Sequence, residues 1–423
     1  MSAAMPMRTI AGRVSCVWVA TRVIALLSIF LTQRLLDDVW IYEGWMSFLG
    51  HLDFPLFDHK WQYPPGAGAF LLVPHLLGGH YAVVFVTLMV AVDAAIMAIL
   101  LLARFRSPHV SWKGAWLWAV AALVVGPIMF TRFDLLPTFF AIAAILLVAR
   151  PVMSGASAAV GLFTKVWPGL LVLVLPRPSL RRGLTSFVIT CLGLAVAFLV
   201  LFHNSFSFLS NQTARGLQVE SVGALPYVLY HLTGRVVDVH LSYGSMQVTM
   251  AGAELIGTGL TLVGLALIVV IAFWRLTGRL EKVPAGDVGL AVVLVSLATS
   301  RVYSPQFNVW VIGVTCAALL TGATRMRRVA VILVAVSLLT QLVYPWFPSG
   351  LTDGTILIGI VQVLRIVGLV AATVIAFWQI SPWRDLAQGP QRHGGGRSDV
   401  QRVDPASHGD SDDDIRSLQG SAR

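Results

Sequence analysis

The chain has 423 residues, of which 57% are apolar and 12% charged, with a net charge of +10 and a mean hydropathy of +0.79. That balance excludes a soluble core of this length and describes a polytopic integral membrane protein. The basic residues form short clusters between apolar runs rather than one stripe with interleaved aromatics, which argues against nucleic acid as a partner, and Cys16, Cys191 and Cys316 each sit inside an apolar run without the spacing of a zinc site or a disulfide framework.

A helix needs about 20 apolar residues to cross the hydrocarbon. Candidate spans lie near 12–33, 81–103, 114–131, 134–149, 183–203, 250–275, 286–300, 306–323, 328–346 and 355–379. Several are short, so tilt or packing inside the bundle has to accommodate them. The stretch 66–79 is too short to cross, and 155–175 is broken by Lys165 and Pro168. Lys and Arg near span ends favour the cytoplasm. Arg8 and Arg13, then Arg104, Arg106 and Lys113, then Arg150 with Arg177, Arg181 and Arg182, then Arg275, Arg279 and Lys282, and finally Arg325, Arg327 and Arg328, all fall inside if neither irregular stretch crosses. The expectation is an all-α bundle of about ten transmembrane helices with two re-entrant or broken helices and both termini cytoplasmic. Arg22 interrupts the first run and no small-residue cleavage site follows, so that run reads as a span and not as a cleaved signal. Residues 1–383 read as one transmembrane domain, and 384–423, rich in Gly, Ser, Asp, Arg and Gln, as a disordered cytoplasmic tail that deletion should remove without loss of activity.

With this topology nearly every polar oddity falls on the outer side. Asp37, Asp38, Glu43, Asp53, Asp58, Arg132, Asp134, Arg215, Glu220 and Arg301 are candidates to line one shared cavity there. Carboxylates at the mouth of a span are costly to leave idle. Asp38 and Tyr42 are four apart and share a helix face; the plainer reading is that Asp37 and Asp38 form an acidic helix start suited to the dipole. Arg132 and Asp134 read as a pair with each other. Lys165, deep in an apolar break, needs an anion or must snorkel. No ligand cluster for a metal and no Gly-rich nucleotide loop is present.

Six pieces in order, DVWIY (38–42), WQYPPG (61–66), RFDLLP (132–137), GLFTKVWP (161–168), RGLQVES (215–221) and SRVYSPQFNVW (300–310), make the chain resemble the GT-C superfamily of polyprenol-phosphate-sugar-dependent glycosyltransferases, and within it family 87, the actinobacterial mannosyltransferase group. The resemblance runs over roughly residues 10–380. It implies inverting transfer of one sugar, usually mannose, from a polyprenyl phosphate to a glycolipid or glycan acceptor at the outer face of the plasma membrane. The family's general base maps onto Asp38, with Asp37 adjacent. A carboxylate within about 3 Å of the acceptor hydroxyl suits that role, and cations suit a leaving phosphate that gains charge: Lys165, Arg132, Arg215 and Arg301 are the candidates. Tyr42, Tyr63, Asp134, Gln218, Glu220 and Gln306 are candidates for sugar or acceptor contacts. Neither a cofactor nor a divalent metal is required by this scheme. The rival readings are a transporter or flippase for a lipid-linked sugar and a lipid-linked oligosaccharide ligase of the same fold.

Overall fold

In lipid a backbone satisfies its own polar groups by closing into helices, and the apolar runs of this chain do so. A computed structural model describes residues 6–31, 33–107, 109–213 and 215–387; the tail expected over 384–423 lies almost wholly outside the described residues. In chain order the helices are α1 (Met7–Leu31), α2 (Asp37–Gly44), α3 (Met46–Leu49), α4 (Pro65–Leu77), α5 (Tyr81–Arg106), α6 (Lys113–Val125), α7 (Ile128–Thr131), α8 (Leu135–Leu146) and α9 (Pro151–Thr164). After a 3-10 stretch, Trp167–Val174, follow α10 (Arg177–Leu201), α11 (Phe208–Thr213), α12 (Leu225–Leu232), α13 (Ala253–Leu276), α14 (Ala285–Ala298), α15 (Phe307–Leu320), α16 (Arg327–Gln341) and α17 (Ile356–Ile380).

Six helices, α1, α5, α10, α13, α16 with its continuation to Trp346, and α17, are long and apolar enough to cross a membrane. Four other expected spans coincide with α6, α8, α14 and α15, which have 13, 12, 14 and 14 residues. At 1.5 Å per residue these reach about 18 to 21 Å, short of the roughly 30 Å hydrocarbon. Their burial explains how they tolerate it: α15 is buried without interruption from Asn308 to Leu320, and α14 from Gly286 to Val295, so their partners are other helices. By contrast α10 buries only Gly183, and there the backbones meet, since a Cβ on Gly155 of α9 would stand 2.1 Å from the Gly183 carbonyl oxygen. Small residues of this kind let membrane helices approach closely.

The expected break in 155–175 occurs at Lys165, where α9 gives way to extended backbone and then to the 3-10 stretch. Within the bundle, Arg22 on α1 and Asp93 on α5 form a buried bidentate pair at 2.8 and 2.9 Å, with Trp18 Nε1 and two α6 carbonyls, Trp118 and Ala119, completing the bonding. Sequence reading treated Arg22 as an interruption alone; one opposite charge in each of two apolar runs was the available signal.

The one sheet among the described residues is built in the long segment before α13. Strand β1 (Leu217–Gln218) and strand β2 (Val239–Ser242) both pair antiparallel with β3 (Ser245–Val248). The β2–β3 hairpin turns through Tyr243 and Gly244, both with positive φ, 52° and 72°.

Candidate active site

Helix α2 starts on two carboxylates, which suits the positive end of its dipole. Val39 and Tyr42 are buried on its inner face, while Trp40 stays half exposed. This rotation sends the Asp38 side chain, 34% exposed, into ion-pair contact with Arg132 Nε and leaves Asp37 exposed. Arg132 is itself nearly buried and donates to the Thr131 and Leu35 carbonyls at 3.0 and 3.4 Å.

Asp134, at the entry to α8, is buried. Its Oδ1 accepts from Lys165 Nζ at 2.6 Å and from Trp310 Nε1 at 2.6 Å. The expected Arg132–Asp134 pair is therefore not formed: each finds its partner across the fold, because α2 brings one carboxylate to Arg132 and the break after α9 delivers one ammonium to Asp134. Lys165 neither snorkels nor stands alone. Its Nζ lies 4.8 to 5.7 Å from the ring centres of Trp310, Phe133, Phe307 and Tyr63, a cage that attracts a cation through the ring faces.

These groups open onto a cavity of about 370 Å³. Asp38, Tyr42, Tyr63, Lys165, Arg215 and Gln306 line it, half of the twelve residues singled out from sequence, and the other walls include Lys60, Gln62, Trp167, Gln212, Ser296, Ser304 and the hairpin tip at Tyr243 and Gly244. Several lining groups carry polar atoms that are buried and have no partner among the described residues: Tyr42 Oη, Gln62 Oε1, Trp167 Nε1 and Arg215 Nε. Such atoms are rare in folded proteins and cost free energy until something bonds them. Among the described residues the Arg215 guanidinium has one weak hydrogen bond, Nη2 to Ser245 Oγ at 3.3 Å, and burial lowers its pKa, as expected for a cation short of an anion. Burial raises the Tyr63 phenol well above its ordinary value, with Asp38 nearby acting in the same direction, so Tyr63 is a hydroxyl donor at neutral pH.

The other six candidates do not line the cavity. Asp37 is outside it, and Arg132 and Asp134 stand behind Asp38 and Lys165. Arg301, a candidate for phosphate, is occupied: its guanidinium donates to Glu254, Thr258 and the Arg215 carbonyl at 2.8, 2.7 and 3.0 Å. Gln218 faces the loop 300–306, and Glu220 is bonded to Gln218. Gln218 Oε1 accepts from Tyr303 N at 3.0 Å and from Ser304 Oγ at 3.4 Å, while its amide donates to Glu220 at 2.7 Å. Burial raises the Glu220 carboxyl pKa. Of the wider set expected to share one cavity, Glu43, Asp53 and Asp58 are likewise outside its walls; Asp58 accepts from Trp45 Nε1 at 2.7 Å and Asp53 from Asn204 at 2.9 Å. Sequence reading missed Lys60, Gln212, Trp167 and Tyr243 as wall residues. Trp167 carried a legible signal, its place in GLFTKVWP (161–168), and Tyr243 a weaker one, a Tyr-Gly step inside the long polar segment.

Residues 61–305, more than half of the chain, match the model of glycosyltransferase family 87. No curated protein and no solved structure shows significant similarity to it.

Proposed function

Because the chain belongs to glycosyltransferase family 87, and through it to the GT-C superfamily, we propose that this membrane glycosyltransferase moves a single sugar, mannose, from a polyprenyl phosphate to a glycolipid or glycan acceptor at the outer face of the plasma membrane, with inversion. The observation that carries the reading is the meeting, in one cavity, of the Asp38 carboxylate with the half-buried Arg215 guanidinium, whose Nε has no partner among the described residues.

Asp38 takes the proton of the acceptor hydroxyl as its oxygen forms the bond to the anomeric carbon. Arg132 holds one carboxylate oxygen, Oδ2, which orients the other. On the opposite face of the sugar the bond to the phosphate oxygen breaks, and the polyprenyl phosphate departs with added negative charge. Arg215 and Lys165 stand ready to receive that charge in a partly dry site, where fixed cations act more strongly than in water. Tyr42 and Tyr63 offer hydroxyls to the sugar. Val166, Leu170 and Leu297 give the cavity an apolar side toward the bundle, suited to an isoprenoid.

Membership of a glycosyltransferase family favours transfer over the transporter reading. The oligosaccharide ligase is separated by product size. The test is to incubate the purified protein in lipid with radiolabelled polyprenyl-phosphate mannose and an actinobacterial membrane-lipid extract, beside Asp38→Asn. Label entering a product one hexose larger with wild type alone supports donor, reaction and base together; undiminished turnover by a folded Asp38→Asn protein removes Asp38 from the role.

A further inference from the structure

The hairpin that closes the cavity carries a residue its backbone does not favour. A two-residue turn with positive φ at both central positions selects Asn, Asp or Gly at the first of them, because a side chain there crowds the backbone. Here Ser242 pairs with Ser245 across the turn, and the first central position is Tyr243 at φ +52°, followed by Gly244 at +72°. Residues held in such conformations persist where the surroundings fix them, and they collect at ligand sites. The surroundings do fix this one. Gln62 Nε2 donates to the Tyr243 carbonyl at 2.9 Å, Gln247 Nε2 to the Ser242 carbonyl at 3.1 Å and Arg215 to Ser245. The ring rests edge-on against His59 with centroids 5.7 Å apart, and it lines the cavity, partly exposed.

Resting on the glycosyltransferase reading above, we infer that Tyr243 is the platform for the acceptor and that the acceptor presents a pyranose ring at this point, so that the enzyme extends an existing glycoside. The apolar side of the cavity, Val166, Leu170 and Leu297, comes from the bundle and suits the isoprenoid donor. Tyr243 comes, with Lys60, Gln62 and Gln212, from the connecting segments, where a water-soluble group enters. A tyrosine face packs against the C–H face of a sugar while its hydroxyl remains free to bond. A bare lipid hydroxyl or a serine side chain offers no such face. The polar neighbours match as well: the amides of Gln62 and Gln212 and the ammonium of Lys60 can bond the hydroxyls at a sugar's edge.

The backbone supplies the control. Tyr243→Asn removes the ring and installs a residue that prefers this φ, so it should not lower the melting temperature, whereas Tyr243→Phe keeps the platform. In lipid nanodiscs, saturation-transfer NMR with methyl α-D-mannopyranoside and methyl α-D-glucopyranoside reports the acceptor end, and retention of radiolabelled polyprenyl-phosphate mannose reports the donor end. The expected result is that Tyr243→Asn weakens glycoside transfer roughly tenfold, the loss from exposing one apolar sugar face, with donor retention unchanged, and that Tyr243→Phe keeps most of the signal. Wild type that retains the donor but gives no signal from either glycoside overturns the inference alone, as does a Tyr243→Asn protein with an undiminished glycoside signal or with donor retention lost in its place. Wild type that retains no donor overturns the reading beneath it.

Discussion

The Lys165–Asp134 pair separates what holds the site together from what it does. The side chains are 13% and 1% exposed, so the contact is shielded from water and salt, and breaking a buried pair from one side costs about 3 to 5 kcal/mol because it strands the other charge. Lys165→Met should therefore destabilise by about 3 kcal/mol, the carboxylate retaining Trp310 Nε1 as a donor. Asp134→Leu should cost more, about 4 to 6 kcal/mol, since it strands the ammonium and also leaves that indole N–H unpaired. The double variant carries no stranded charge and should recover most of the loss, keeping a deficit of about 1 to 3 kcal/mol for the indole alone, with a coupling of about 4 to 8 kcal/mol. Reversible unfolding in mixed micelles, read as a double-mutant cycle, measures this directly. Transfer activity should behave differently: with only Arg215 left of the two cations that meet the leaving phosphate, the double variant should stay as impaired as Lys165→Met. A coupling below about 0.5 kcal/mol would show that the pair is not shielded as described, and wild-type turnover by the stable double variant would remove Lys165 from the chemistry.

Arg215→Gln should weaken retention of radiolabelled polyprenyl-phosphate mannose by about ten- to hundredfold, the worth of one charge-assisted hydrogen bond, whereas Arg301→Gln, whose partner Glu254 is 73% exposed, should change retention little and stability by no more than about 1 kcal/mol; equal effects would refute the division between the two arginines. Burial outweighs the attraction of Arg365 and holds the Glu220 carboxyl above the usual carboxylate range. The folded protein then keeps a proton that the unfolded chain has released, so this group's contribution is full below the ordinary carboxylate pKa and falls as pH rises through the raised one. Glu220→Gln should match wild type in melting temperature at pH 4 and exceed it at pH 8, and a wild-type advantage that grows with pH would reverse the assignment. Gly155→Ala should cost about 1 to 3 kcal/mol by forcing α9 from α10, while Gly193→Ala on α10, where a Cβ meets nothing within 4 Å, should be neutral or slightly stabilising; the two variants melting alike would show that the helices do not meet at Gly155.

What was legible in the sequence follows from what is local. Apolar runs announce helices because the period and length of the run are the helix, and the break at Lys165 was visible because a lysine and a proline interrupt one. The ends of α6, α8, α14 and α15 were not visible, since a helix buried among helices has no need to match the thickness of the lipid. Asp38 and Lys165 could be chosen because one follows and the other interrupts an apolar run, and Tyr42, Tyr63, Arg215 and Gln306 because they lie in the short pieces that resemble the family. Their partners could not. Whether Asp134 meets Arg132, two residues away, or Lys165, 31 away, is settled by where α2 and the broken helix come to rest, and no spacing records that.

The same limit hid the last quarter of the chain, which lies beyond the family match and reads in sequence as three more spans and a polar tail. Arg365 is fully buried in α17, a position costly for a charge, and among the described residues no carboxylate stands within ion-pair reach of it. Its donors go instead to Thr340 at 2.9 Å, Gln362 at 2.8 Å and the Tyr303 carbonyl at 3.0 Å, with the guanidinium 4.2 Å above the Tyr303 ring. Gln362 in turn donates to the Glu220 carbonyl at 3.0 Å. From the other side Gln218 holds the Tyr303 N–H and the Ser304 hydroxyl. The loop 300–306 is thus clamped between α17 and β1, and Ser300, Val302, Ser304 and Gln306 on that loop form one wall of the cavity. A charge that seemed misplaced in an apolar helix has its bonds accounted for by the backbone it fixes, and Gln218 and Glu220, chosen from sequence for sugar, belong to the same frame.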